Sequence, residues 1–248
     1  MKKRIRIFDT KEEIAEFTVG LWKDMARQAV EKKGSFIVAL SGGSTPIDLY
    51  RKLSSHTEDL PWQYTHMFLV DERVVPFEDT ESNFRMIKES LFDPLGISED
   101  NVHRIPVDLG DAEFSASEYE KRVKNFFALE ENEVPRFDLV ILGMGKDGHT
   151  ASLFPGTEAA LEHHKLAVPV KGKSIMHERV SITFPVINNA CNILLLISGA
   201  EKAETLKEVL EEDNSPLPAA QVALASSDPV FLVDEEAAKL LNKEHLDI

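Results

Sequence analysis

Residues 137–156 read FDLVILGMGKDGHTASLFPG, an apolar run that passes straight into a glycine-rich turn bearing an acid and a histidine. Phe137 and Leu139 to Leu142 form the nearly continuous apolar stretch expected of a strand covered on both faces, as in a parallel sheet. Gly143, Gly145 and Gly148 then allow close backbone turns and close approach of a ligand to the main chain. In open α/β sheets ligands bind beyond the carboxyl ends of the strands, which is where Asp147 and His149 stand. The same pattern also fits a tight turn with an exposed histidine and no ligand. The remainder of the chain has to decide between the two.

A second stretch repeats the logic. Ser35 to Leu40 is an apolar strand that leads into Ser41-Gly42-Gly43-Ser44-Thr45-Pro46. Thr45 suits a helix N-cap, Pro46 the first helical position, and Asp48 the third residue of a capping box. A strand thus feeds a glycine turn that opens a helix, and the free amides and positive end of such a helix attract anions. A third strand, His66 to Val70, ends at Asp71-Glu72-Arg73, an acid and an arginine at a strand end that fit substrate ligands or, as charge alone favours, a solvated cluster, and Ser82-Asn83 opens a helix to about Leu91. The most apolar strand, Cys191 to Ser198, precedes a helix beginning at Gly199 and running to about Leu210. Lys202 stands in its first turn, where a cation opposes the macrodipole. A bound anion accounts for that placement, as does a stem that carries its charge out to solvent.

The other segments fill in the alternation. Arg4 to Phe8 reads as a strand, Asp9 or Thr10 as the cap of a helix from Lys11 to Lys33, and Gly34 as its stop. Val102 to Ile105 is a short strand, and a helix from about Glu113 to Phe127 places Phe114, Tyr119, Val123 and Phe126 or Phe127 toward a core. Leu166 to Val170 and Arg179 to Phe184 read as strands, Pro216 and Pro218 mark a loop, and Val230 to Val233 is the last strand. Asp234 then caps a helix through about Leu241. Strands alternating with helices predict an α/β fold, a doubly wound, mostly parallel sheet in a single domain spanning residues 1–248.

Composition narrows the function. An apolar content of 43% over 248 residues suits a globular core, and the net charge of −15 weighs against nucleic acid, which needs a basic surface. A small anionic ligand is compatible with that charge if cations are gathered locally. No apolar segment follows the basic start, and the longest uncharged apolar run, Ile193 to Ile197, is too short to cross a bilayer, so no membrane partner and a cytoplasmic location are expected. The lone Cys191 reads as a small buried apolar residue without a catalytic role. Gly143 to Gly148 matches G-x-G-x-x-G but does not lie in a first βα turn, and Lys171 rather than an acid follows the next strand. No nucleotide cofactor is therefore expected. His163 and His164 are adjacent, and no histidine pair is spaced for zinc, so no metal is expected either. With no G-x-S-x-G elbow, the pattern favours a histidine that moves a proton over a covalent nucleophile.

Six segments then carry a resemblance. Residues 41–46 (SGGSTP), 71–73 (DER), 82–83 (SN), 143–156 (GMGKDGHTASLFPG), 179–183 (RVSIT) and 199–203 (GAEKA) occur in the order seen in the 6-phosphogluconolactonases, and the likeness covers nearly the whole chain. These proteins share a Rossmann-like fold, without a nucleotide, with glucosamine-6-phosphate deaminases and, more distantly, ribose-5-phosphate isomerases. The resemblance implies hydrolysis of 6-phospho-D-glucono-1,5-lactone to 6-phosphogluconate, with the sugar-phosphate lactone as the small-molecule partner; a monomer or homodimer is expected, and the sequence does not choose between them. It makes His149 the base that activates water, and Asp147 either the support of its imidazole or a contact to sugar hydroxyls. Gly42, Gly43, Ser44 and Thr45 would line the pocket, Lys202 and Arg179 would lie near the phosphate, and Arg73 would bind substrate or steady the oxyanion, although the sequence does not divide phosphate and oxyanion duties between the two arginines. The deaminase branch, which shares similar turns, reads Asp-Glu-Tyr where this chain has Asp71-Glu72-Arg73 and carries a glutamate where it has Phe154. A sugar-phosphate sensor would need a basic helix-turn-helix segment, and none is read here.

Overall fold

A computed structural model of the chain describes residues 4–58, 60–172, 175–223 and 228–242. In chain order the elements are β1 (Arg4–Phe8), α1 (Lys11–Lys33), β2 (Phe36–Leu40), α2 (Pro46–Leu53), β3 (Thr65–Leu69) and β4 (Asp71–Arg73). Next comes α3 (Asn83–Ile87), which continues through a π-helical turn at Lys88–Phe92 into α4 (Asp93–Leu95). Then follow β5 (Val102–His103), α5 (Ala112–Phe127), β6 (Leu139–Leu142), β7 (Ala167–Val170), β8 (Arg179–Ile182) and α6 (Phe184–Asn188). The chain closes with β9 (Ile193–Ile197), α7 (Ala203–Glu211), α8 (Pro218–Ala223), β10 (Val230–Asp234) and α9 (Glu235–Ala238). Capping chemistry sets the first helix as expected: the Thr10 side chain accepts from the Glu13 amide, and Gly34 ends α1 in the left-handed region.

Seven strands form one parallel sheet in the order β1-β10-β9-β6-β2-β3-β5. Every residue of β2, β6 and β9 is buried, which explains their unbroken apolar sequence. The centre of the sheet is the pairing of β2 with β6, Val38 beside Leu139 and Ala39 beside Val140. From β2 the chain winds toward β3 and β5, whereas from β6 it winds the other way toward β9 and β10. The winding therefore reverses between these two strands, and a crevice opens at their carboxyl ends. Residues 41–45 leave β2 and residues 143–149 leave β6, so both glycine turns meet at that crevice.

Several expectations are corrected. The strands at Leu166–Val170 and Arg179–Phe184 do not join the parallel sheet; β7 and β8 pair antiparallel with each other and with β4 in a separate sheet of order β4-β8-β7. The helix expected from Ser82-Asn83 to Leu91 changes geometry after Ile87, and the terminal helix stops at Ala238. Pro218 starts α8 rather than a loop, in keeping with proline's fitness for a first helical turn. Phe114 is 48% exposed on the outer face of α5, while Tyr119 and Val123 are buried. Cys191 is exposed, because it lies on the turn before β9 and not within the strand.

Two buried tyrosines secure the strand ends that carry the site. Tyr50 donates to the Ser41 carbonyl at 2.7 Å, and Tyr119 donates to the Leu69 carbonyl at 2.6 Å. Each ties a helix to the last residues of a central strand. Replacing Tyr119 by Phe strips a buried carbonyl of its donor and is expected to cost about 1–2 kcal/mol in urea denaturation. An unchanged midpoint would show that the bond contributes nothing.

Candidate active site

The turn after β6 is built around a carboxylate and an imidazole. Asp147 Oδ1 lies 2.5 Å from His149 Nδ1 and also accepts the His149 amide at 3.2 Å. With Nδ1 engaged as the donor, Nε2 keeps the lone pair that takes a proton. Gly145 makes the arrangement possible, because a Cβ there would run into the His149 ring. Its own amide donates to the His149 carbonyl at 2.9 Å, closing the turn, and the Thr150 hydroxyl donates to the Gly143 carbonyl at 2.8 Å. Two outside ties hold the turn in place: the Thr205 hydroxyl of α7 on the Lys146 carbonyl at 2.6 Å, and the Ala219 amide of α8 on the Gly148 carbonyl at 3.0 Å.

A cavity of about 250 Å³ lies where this turn faces the one after β2. Gly42, Gly43, Ser44, Thr45, Arg73, His149, Arg179 and Lys202 all line it, so the structure brings together every expected site residue but one. The exception is Asp147, which does not line the cavity and bonds the His149 ring nitrogen. Thr45 lines the cavity but is no side-chain cap. Its backbone is already helical, the Gly43 carbonyl accepts the Ile47 amide, and Asp48 is drawn to Lys11 at 2.8 Å instead of closing a capping box.

The segment Asp71-Glu72-Arg73 is not a solvated cluster. Glu72 is fully buried and accepts from the amides of Arg73, Asn83 and Phe84 and from the Ser82 hydroxyl, at 2.7–3.0 Å. Burial pushes its carboxyl above the usual range, even with these donors opposing the shift. It thereby clamps β4 to the start of α3. Asp71, also buried, accepts from the Ser152 hydroxyl at 2.5 Å and from the Asn83 amide group at 3.3 Å. The Asn83 amide sits against Gly42, where any Cβ would collide with it. Asp71, Asn83, Ser41, Lys146 and Ala151 also line the cavity; all five fall inside the segments that carry the resemblance, but of them only Asp71, as an acid at a strand end, was weighed as a ligand from the sequence. Membership of those segments was the available signal for the other four.

Cations dominate the opening. Arg73 and Arg179 are direct cross-strand partners on β4 and β8, and Lys146 and Lys202 line the same cavity. No carboxylate among the described residues forms an ion pair with either arginine, and both Nε atoms are buried without a partner among them. The Ser41 hydroxyl is likewise buried and unpartnered. Burial, then the neighbouring Arg73 charge, lowers the Arg179 pKa, with Asp71, Glu81 and Glu72 opposing; burial also lowers that of Lys202, with Glu201 and Asp234 opposing. Like charges opposed across a pleat without counter-ions are unfavourable until an anion joins them. No group of three or more metal-ligating side chains occurs among the described residues.

The family model for glucosamine-6-phosphate isomerases/6-phosphogluconolactonase matches residues 9–231. The chain belongs to that family. It is 37% identical over 216 residues to a Synechocystis protein named 6-phosphogluconolactonase, covering 86% of this chain and 88% of the relative. Its fold superposes on a solved 6-phosphogluconolactonase from Trypanosoma cruzi with a TM-score of 0.87 at 29% identity, over 97% of each chain. A solved monomeric glucosamine-6-phosphate deaminase also matches, with a TM-score of 0.80 at 25% identity over 96% of this chain and all (100%) of that one. Both branches of the family thus share the architecture, and the site residues must separate them. No described helix is long and apolar enough to cross a membrane.

Lys202 offers a test of the anion reading. A lysine whose folded pKa lies below its unfolded value destabilises the fold while charged, and the cost is relieved as pH rises from the folded toward the unfolded value. A bound anion reverses this by favouring the charged form. Lys202→Met is therefore expected to raise the melting temperature of the free protein at neutral pH. In the wild type, stabilisation by inorganic phosphate should decline as pH rises through the depressed Lys202 value. Equal phosphate stabilisation of both proteins across that range would contradict an anion contact at Lys202.

Proposed function

We propose that this chain hydrolyses 6-phospho-D-glucono-1,5-lactone to 6-phosphogluconate, with His149 as the general base. The observation that carries the reading is one cavity that joins uncompensated cations to an imidazole oriented by a carboxylate. The relatives' names supply the lactone. On this reading the phosphate is held by Arg179 and Lys202 together with the amides and hydroxyls of residues 42–45, and the lactone carbonyl faces His149.

The chemistry needs one proton carrier. His149 Nε2 takes a proton from water as the water oxygen bonds to C1, and the carbonyl π electrons move onto oxygen. The resulting oxyanion is stabilised by Arg73 beside it, a role that is worth several kcal/mol in water-excluded sites. Collapse of the adduct breaks the bond from C1 to the ring oxygen, which takes the proton back from the imidazolium. The carboxylic acid product then ionises. Asp147 keeps Nδ1 protonated throughout and favours the transient cation. On this reading the reaction is the second step of the oxidative pentose phosphate pathway, and neither cofactor nor metal enters it.

Deamination of glucosamine 6-phosphate fits the site less well. Phe154 packs its ring 4.4 Å from that of His149, where an acid would be needed for proton traffic in ring opening.

The test is the decay of freshly generated lactone, corrected for spontaneous hydrolysis, with ammonia release from glucosamine 6-phosphate followed in parallel. Wild type is expected to accelerate the decay and release no ammonia. His149→Asn should lose about 10²–10⁴-fold in kcat, the range for a positioned general base, with KM little changed. Ammonia release without lactone hydrolysis would assign the chain to the other branch, and full turnover by His149→Asn would remove histidine from the mechanism.

A further inference from the structure

Phe154 touches the two halves of the site at once. Its ring lies 4.4 Å from the His149 ring at an interplanar angle of 39°, and the Arg179 guanidinium carbon lies 5.4 Å from its centroid. It does not line the cavity; it stands behind both residues, half-buried against the core. Its own placement is fixed from below, since the Phe154 carbonyl accepts both the Thr157 amide at 3.2 Å and the Thr157 hydroxyl at 2.8 Å. The loop that carries it is further pinned by the Leu153 amide on the Thr150 carbonyl at 3.0 Å and by the Ser152 amide on the Ser181 hydroxyl at 3.2 Å.

What Phe154 supports has little other support. Arg179 makes only a long 3.5 Å contact from its Nη1 to the Ser152 hydroxyl, and no ion pair among the described residues. Its guanidinium therefore depends on the aromatic face for lateral position, a contact that leaves its N–H groups free for an anion. His149 is held at Nδ1 by Asp147 and passes close to Gly145, but neither contact is a flat surface, so the tilt of the ring can still vary within the hydrogen bond. A flat neighbour within van der Waals reach removes that freedom.

We propose that Phe154 is a positioning residue that sets the orientation of the base and of the phosphate-facing arginine together, fixing the distance between the reacting and binding ends of the substrate. The proposal rests on the lactonase reading for its kinetic consequences and on the geometry alone for its structural ones. A carbonyl carbon misplaced by about 1 Å relative to its base is enough to cost on the order of 100-fold in rate, so a single shared wall is an effective control.

The test compares Phe154→Leu and Phe154→Met, which remove the ring, with Phe154→Tyr, which keeps it, in the lactone assay and in the His149→Asn and Arg179→Met backgrounds. Loss of the ring is expected to lower kcat on the order of 10- to 100-fold and to raise KM several-fold, about the scale of a small misplacement. Phe154→Tyr should restore both. In the His149→Asn background the kcat effect should vanish while the KM effect remains; in the Arg179→Met background the reverse is expected. Effects that multiply fully in both backgrounds would make Phe154 an ordinary packing residue and overturn the proposal.

An activity-independent arm separates this from the functional reading. The His149 Hε1 resonance, identified by its loss in His149→Asn, should be displaced by the Phe154 ring current in wild type and Phe154→Tyr and move toward a solvent-exposed position in Phe154→Leu. Affinity for inorganic phosphate should fall with it. If wild type does not hydrolyse lactone but these shifts occur, the functional reading fails and the positioning role stands. If both are unchanged, the positioning role fails whatever the activity.

Discussion

The parallel pairing of β2 with β6 is the constraint on which the rest of the molecule depends. Because the chain winds in opposite directions from these two strands, the loops leaving their carboxyl ends diverge and leave a crevice no helix fills. Both strands are buried throughout, so their register is set by core packing and not by the turns they carry. The glycine turns are thereby free to be shaped by ligand chemistry. One presents amides and hydroxyls, the other an imidazole, and the antiparallel β4-β8-β7 sheet brings the arginines in from the side.

Electrostatics allow an acidic protein to gather cations in one cavity. The net charge of −15 repels a phosphate at long range, but such fields are screened beyond roughly 8–10 Å in physiological salt. Inside the cavity Arg73, Lys146, Arg179 and Lys202 face one carboxylate, Asp71, which is itself occupied by Ser152 and Asn83. Glu72, the other acid on β4, is turned away and spent on the start of α3. The acids of this region thus serve as scaffold, and the four cations have no ion-pair partner among the described residues. Unpartnered Nε atoms on both arginines are the structural trace of that division.

The sequence made the parallel sheet and the two glycine turns legible because strands buried on both faces are written as unbroken apolar runs and the turns as clusters of glycine. The His149–Asp147 pair was visible for the same reason: two residues two apart on one turn need no knowledge of tertiary structure. What local pattern could not show was long-range pairing. Leu166–Val170 and Arg179–Ile182 look like any other strands, and only their partners reveal a second sheet. Asp71 and Glu72 carry charge that reads as solvent-facing, since nothing nearby in sequence announces Asn83, Phe84 and Ser152 as their donors. Thr45 failed as a cap because its own backbone is already helical, and the capping box is lost because Asp48 pairs with Lys11 of α1. Phe154 is the clearest case, an ordinary aromatic in the chain whose role depends on two residues brought to it by separate elements.

The proposed hydrolysis requires that one crevice hold the phosphate at its cationic side while presenting the lactone carbon to His149. A crystal structure with 6-phosphogluconate bound tests this most directly. The phosphate is expected on Arg179 and Lys202 against residues 42–45, with the carboxylate carbon beside His149 Nε2 and a product oxygen within about 3 Å of that nitrogen. A product bound with its carboxylate on the arginines and its phosphate toward solvent, or with no atom in reach of His149, would contradict it.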